Sequence, residues 1–169
     1  MRIGLVGVGR IGAFHAATLK ALPAVDQVVV ADADPVRAEV VAKELGIRAA
    51  PDVPALLASG LDGFVIAAAT SAHASLIEAG LAAGVPTFCE KPVALDLAET
   101  ERVLALTEAS TVPVHIGFQR RFDAGYQAAR AAVESGELGF VHHIRANTND
   151  AFPPHRDYIP QSGGFFRDC

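Results

Sequence analysis

Three closely spaced glycines near the start of the chain have the pattern of a phosphate-binding turn. They follow the apolar run Arg2–Val6 and precede a run with helical spacing. The first glycine allows a tight turn, the second lets backbone N–H groups approach a phosphate, and the third lets the helix pack against the strand. The N-terminus of that helix adds a partial positive charge. The residues of this predicted pyrophosphate site are Gly7, Val8, Gly9, Arg10, Ile11 and Gly12.

A carboxylate at the end of the second apolar run indicates which dinucleotide binds. Asp32 lies 20 residues beyond Gly12, a spacing that favours nucleotide binding over an ordinary strand–helix turn. Its carboxylate would accept hydrogen bonds from ribose hydroxyls and repel a 2′-phosphate. A turn-forming role is the alternative for Asp32, but Asp34 already serves that purpose. Ala33 stands where an NADP-binding protein more often has arginine, so NAD is the predicted cofactor.

Two charged residues, Glu90 and Lys91, come at the end of another apolar run and precede Pro92. In open α/β sheets, ligands bind at the carboxyl ends of the strands. A lysine there can polarise a substrate oxygen and attract the amide region of a nicotinamide. From these residues alone, an ordinary solvated loop pair explains the pattern equally well.

The elements that would position these residues alternate between short β-branched runs and alanine-rich segments of helix length. This alternation predicts an α/β fold, a doubly wound parallel sheet of the Rossmann type, over residues 1–118. The predicted strands are Arg2–Val6, Gln27–Ala31, Arg48–Ala50, Gly63–Ala67, Pro86–Cys89 and Pro113–Gly117. The predicted helices are Ile11–Ala21, Pro35–Leu45, Val53–Ala58, Ala72–Ala83 and Asp96–Ala109.

The pattern changes after Gly117. A helix is predicted over Phe122–Ser135, a strand over Phe140–Thr148 and a loop over Asn149–Gly164. These elements cannot bury a core by themselves. Residues 119–169 are therefore predicted to be the truncated start of a second, α+β domain.

Composition excludes several classes of partner. The 169 residues carry a formal net charge of -5 without a cluster of Lys and Arg, which argues against nucleic acid. The longest apolar run, Phe64–Ala69, is too short to cross a bilayer, and no signal peptide is evident. We therefore expect a cytoplasmic protein without a membrane partner. Cys89 and Cys169 are too few for a disulfide framework or a zinc site, and no metal is expected.

Three motifs of the sequence are Gly7–Gly12, Thr70–His73 and Glu90–Pro92. Together they resemble the glucose–fructose oxidoreductase / inositol dehydrogenase family of NAD(P)-dependent oxidoreductases, and the likeness covers the whole chain. Two further segments look particularly like the inositol 2-dehydrogenase branch, Gly117–Tyr126 and Ser162–Cys169.

The resemblance implies roles for individual residues. Lys91 matches the active-site lysine, and Asp168 matches the first member of an Asp-x-x-x-His pair whose histidine removes the alcohol proton. The cofactor is then NAD, and the substrate a polyol or sugar CH–OH group, inositol-like. Residues 119–169 are then the truncated start of the C-terminal substrate domain. The family likeness also suggests a cis Lys91–Pro92 bond. The remaining predicted contacts are Ala69, Thr70, His73 and Glu90 for the cofactor, and Arg121 and Asp150 for the substrate.

The chain departs from the family pattern because the general base and most of the substrate domain are missing. The histidine four residues after Asp168 would lie beyond Cys169, so we expect the 169-residue chain alone not to be a competent dehydrogenase. A non-catalytic NAD-binding sensor or regulatory protein and a truncated inactive product are the alternatives. A homo-oligomer is an option only for a full-length protein. We expect His15 to have a packing or surface role and His115 a structural one.

Overall fold

The structure, a computed structural model, describes residues 1–147, 149, 152, 153 and 156. Six parallel strands form one sheet with the order β3-β2-β1-β4-β5-β6. All six predicted strands are confirmed, with ends that differ by one residue at most. The strands are β1 Arg2–Val6, β2 Gln27–Ala31, β3 Arg48–Ala49, β4 Gly63–Ile66, β5 Thr87–Glu90 and β6 Val114–Gly117.

Helices connect the strands and cover both faces of the sheet. The predicted doubly wound fold is confirmed, and each of the first five helices ends within one residue of its predicted position. The helices are α1 Arg10–Ala21, α2 Pro35–Leu45, α3 Val53–Leu57, α4 His73–Ala82, α5 Leu97–Glu108 and α6 Ala124–Glu134. No helix among the described residues is long and apolar enough to cross a membrane.

Local signals in the sequence explain where these helices begin and end. The Asp34 side chain accepts hydrogen bonds from Val36 N and Arg37 N at the start of α2, and Asp96 accepts from Glu99 N at the start of α5. Gly46 ends α2 with a φ of 61°, a left-handed conformation that glycine adopts without strain. These caps fix the ends of the helices that return the chain to the sheet.

The core consists of two apolar clusters, one on each face of the sheet. Leu5, Val28 and Val30 pack against α1 and α2, whereas Phe64 and Ile66 pack against α3, α4 and α5. The strand order reverses between β1 and β4, and in doubly wound sheets ligands bind at the carboxyl edge of such a switch point. Packing on both faces of the sheet thus fixes the neighbouring strands β1, β4 and β5. The loops that follow these strands meet at the carboxyl edge of the sheet.

The part of the chain after β6 differs from its prediction. A 3-10 turn at Gln119–Phe122 precedes α6, so the predicted helix forms but begins at Ala124. The predicted strand over Phe140–Thr148 is wrong for residues 140–147, which have no regular structure and are exposed. A strand needs a neighbour for its backbone N–H and C=O groups, and β6 pairs with β5 alone among the described strands.

Candidate functional site

The glycine turn after β1 has the geometry that close approach of a ligand requires. Gly7 has a φ of +88°, and a Cβ at Gly12 would lie 1.7 Å from Gly7 O. Any side chain at Gly12 would therefore separate α1 from the turn. A Cβ at Gly9 would have no heavy atom within 4 Å. The backbone is thus tightly packed on the protein side and open on the solvent side.

The open side of the turn presents the N-terminus of α1. Gly9 is the N-cap of this helix, and no side chain caps it. The first backbone N–H groups of an uncapped helix have no partner within the helix and attract anions. Val8 is buried, whereas Gly9, Arg10 and Ile11 are exposed. The turn therefore combines open space beside Gly9 with backbone N–H groups that attract an anion.

Asp32 lies beside this turn, at the carboxyl end of β2. Its Oδ2 accepts a hydrogen bond from Val8 N, and its Oδ1 accepts one from Asp34 N, both at 2.8 Å. The side chain is only 6% exposed, and the Arg37 guanidinium lies 3.2 Å from Oδ1. The contact with Val8 links the carboxylate directly to the phosphate-binding turn. Sequence reasoning missed Arg37, although it follows Asp32 by about one helical turn.

The loop after β4 carries three predicted cofactor contacts. Ala69 is exposed, and Thr70 is half-buried at the start of a 3-10 turn. His73 is 1% exposed, and its Nδ1 and Nε2 lie 2.7 Å from Pro92 O and 3.1 Å from Ala68 O. Because both ring nitrogens face backbone carbonyls, this side chain links two loops of the site. Its geometry favours a positioning role over direct cofactor contact.

The turn after β5 carries Lys91, and the Lys91–Pro92 bond is cis, as predicted. Glu90 is the last residue of β5, and its Oε1 accepts a hydrogen bond from His15 Nε2 at 2.7 Å. The two side chains are 22% and 27% exposed. Lys91 therefore lies between Glu90, which contacts α1, and Pro92, whose carbonyl contacts the first residue of α4.

The contact of His15 with Glu90 was not expected from the sequence. His15 lies three residues after Gly12 and one before Ala16, the two buried residues of α1. Helical spacing therefore turns it towards the sheet. This spacing could have indicated that His15 faces the site. It could not have identified Glu90 as the partner of His15, because the two residues are 75 positions apart in the sequence.

Aromatic rings surround the same end of β5. The Phe88 ring meets His15 edge-on at 6.2 Å and stacks on His115 at 5.8 Å. His115 was predicted to have a structural role, and the structure shows it exposed and stacked on Phe88. Arg121 is exposed, with its guanidinium 5.8 Å from the Phe118 ring. The structure thus places Arg121 shortly after β6, near the carboxyl edge. Asp150 and Asp168 lie outside the described residues.

Cys89 does not contribute a nucleophile to this site. Burial and the nearby Glu90 carboxylate raise the pKa of its thiol to about 12. A thiol with such a pKa is almost fully protonated at neutral pH, and the thiolate is the reactive form. Among residues 1–147 and the other described positions, no three His, Cys, Asp or Glu side chains form a group that could hold a metal ion.

Comparison with known proteins identifies the family of this fold and site. Residues 1–118 match the oxidoreductase family with an NAD-binding Rossmann fold. The chain is 44% identical, over 99% of its length, to a myo-inositol dehydrogenase, Hyg17, of Streptomyces leeuwenhoekii. It is 35% identical, over 100% of its length, to a scyllo-inositol 2-dehydrogenase (NAD(+)) of Bacillus subtilis.

A solved structure is similar over the same extent. A myo-inositol dehydrogenase from Corynebacterium glutamicum superposes with a TM-score of 0.82 at 35% identity, over 99% of this chain. The chain covers 52%, 50% and 51% of these three proteins, so it spans about half the length of the relatives it matches. The chain belongs to the oxidoreductase family with an NAD-binding Rossmann fold, the family that its glycine turn and its Glu90-Lys91-Pro92 segment resemble.

Proposed function

We propose that this chain provides the NAD site and the active-site lysine of an oxidoreductase that acts on a CH–OH group of an inositol-like polyol or sugar. The observation that carries the proposal is the common position of three features at the carboxyl edge of the sheet. These are the open turn at Gly9, the Asp32 carboxylate bonded to that turn, and Lys91 after β5. The names of the relatives favour inositols as the first substrates to test.

The residues present fit NAD. The space beside Gly9 and the uncapped N-terminus of α1 suit the pyrophosphate. The Asp32 carboxylate can accept one more hydrogen bond. A carboxylate accepts about four, and its two oxygens already accept three. A ribose hydroxyl can supply the fourth.

The charge around Asp32 favours NAD over NADP. Asp32 and Asp34 both lie within 4 Å of the Arg37 guanidinium, which leaves two negative charges against one positive. A 2′-phosphate would enter a region that is already net negative. Arg37 is thereby occupied by carboxylates rather than directed at a phosphate.

The chemistry divides between the cofactor and the chain. When bound, NAD supplies the acceptor for hydride. Lys91 stabilises negative charge on the substrate oxygen, because a fixed cation at the reacting oxygen is most effective when charge develops there. Asp168 would support the proton acceptor, and Arg121 and Asp150 would contact substrate. The cytoplasmic location, the domain boundary at residue 118 and a homo-oligomer remain predictions.

Isotope transfer tests this proposal. NAD and inositol deuterated at its ring carbons are incubated with the 169-residue chain and, in parallel, with the product of the same reading frame continued downstream. We expect the longer product to form NADH that carries deuterium. NADH without deuterium would contradict hydride transfer from carbon, and binding of NADH without any turnover in either protein would favour the sensor alternative.

A further inference from the structure

A polar contact joins α1 to the residue before Lys91, between His15 Nε2 and Glu90 Oε1 at 2.7 Å. A carboxylate only accepts hydrogen bonds, so His15 Nε2 is the donor. Both side chains are about three-quarters buried, which shields the contact from competing water. This pair joins the helix of the phosphate-binding turn to the residue directly before Lys91.

The surroundings of the pair fix its geometry. Phe88 lies on the same face of β5 as Glu90, and its ring packs against the His15 ring in a T-shaped arrangement, which limits the directions in which Nε2 can point. On the other side of Glu90, a Cβ added at Gly117 would lie 3.4 Å from Oε2. The Glu90 carboxylate thus occupies a narrow space between α1 and the end of β6.

We infer that His15 is a positioning residue for Lys91, acting through Glu90; this inference rests on the proposed function of Lys91. His73 supports the same turn from α4 through the Pro92 carbonyl. Lys91 therefore lies between two residues, Glu90 and Pro92, that each contact a histidine. Loss of the His15 contact should let the Lys91 ammonium move without a direct change at the nucleotide site.

A direct readout of Lys91 tests the inference in the 169-residue chain. The sequence has three lysines, Lys20, Lys43 and Lys91, so reductive 13C-methylation gives three lysine signals by NMR, and the charges are retained. We expect His15→Leu to shift the Lys91 signal towards its position in the unfolded chain. His15→Gln, whose amide retains a donor, should restore most of the native shift. The Lys20 and Lys43 signals should not change.

A matched control and a second variant keep the test decisive. His143→Leu makes the same substitution at an exposed position and should leave the Lys91 signal unchanged. If His15→Leu does not fold, His15→Asn takes its place, because its shorter amide cannot reach Glu90 Oε1. A native Lys91 signal in the variant without a donor, or equal shifts with Leu and Gln, would overturn the inference.

The same samples separate this inference from the proposed function. NADH added to the unsubstituted chain should shift the Lys91 signal if Lys91 faces the nicotinamide. No shift at saturation would contradict the proposed role of Lys91, whereas the dependence of the signal on His15 is measured without nucleotide and stands or falls by itself.

Discussion

Gly9→Ala should abolish most nucleotide binding and leave the stability of the fold unchanged. Gly9 has a φ of -65° and a ψ of -168°, which alanine adopts without strain, and its new methyl group would meet no protein atom within 4 Å. The methyl group would instead occupy the space where the backbone approaches the pyrophosphate. We expect an affinity for NADH that is lower by about a hundredfold, or about 2.7 kcal/mol.

Gly12→Ala should instead lower the stability of the fold, and it is the matched comparison for Gly9→Ala. Its Cβ would lie 1.7 Å from the Gly7 carbonyl oxygen, so α1 must move away from β1. Overpacking of this kind typically costs about 1–3 kcal/mol, and here two backbone segments are in conflict. Thermal unfolding followed by circular dichroism, together with NADH titration, distinguishes the two variants. Equal losses of stability would show that the turn is not open at Gly9.

Lys91→Ala should lower turnover far more than it weakens NAD binding. Removal of one group that stabilises charge in the transition state typically reduces kcat by about 10²–10³-fold. An effect on kcat and kcat/KM together is the signature of a group that acts in the transition state. The measurement is steady-state NADH formation by the protein extended downstream, with inositol as the substrate.

The control for Lys91 is a lysine of the same domain outside the site. Lys43 is exposed in the last turn of α2, and Lys43→Ala should leave kcat and the affinity for NAD unchanged. Unchanged turnover in Lys91→Ala would contradict a role in the reaction and would favour the alternative that Lys91 belongs to an ordinary solvated loop. A parallel loss in the Lys43 variant would show that the assay reports stability rather than chemistry.

Most of the fold could be predicted because its signals are local. Aspartates that cap helices, a glycine that ends α2 and β-branched runs of strand length each act within a few residues. The glycine turn was equally accessible, since Gly7, Gly9 and Gly12 have separate steric roles within one motif. The spacing between Gly12 and Asp32 also predicted a contact over a longer range, that of Asp32 with the nucleotide site. The hydrogen bond from Val8 N to the Asp32 carboxylate agrees with that prediction.

The features that prediction missed depend on contacts between distant segments. The polarity of His15 and Glu90 does not reveal that they meet across 75 residues of chain. His73 was predicted as a cofactor contact, and the sequence does not reveal that its ring lies between two backbone carbonyls from different loops. The pattern at residues 140–147 suited a strand, but a strand also requires a paired neighbour, which the local sequence does not supply.

Titration of the 169-residue chain with NADH and NADPH, followed by nucleotide fluorescence, tests the account most directly. The open turn at Gly9 and the net negative group of Asp32, Asp34 and Arg37 predict saturable binding of NADH. They also predict affinity for NADPH that is weaker by about ten- to a hundredfold, or about 1.4–2.7 kcal/mol. Absence of NADH binding, or an equal or higher affinity for NADPH, would contradict the account.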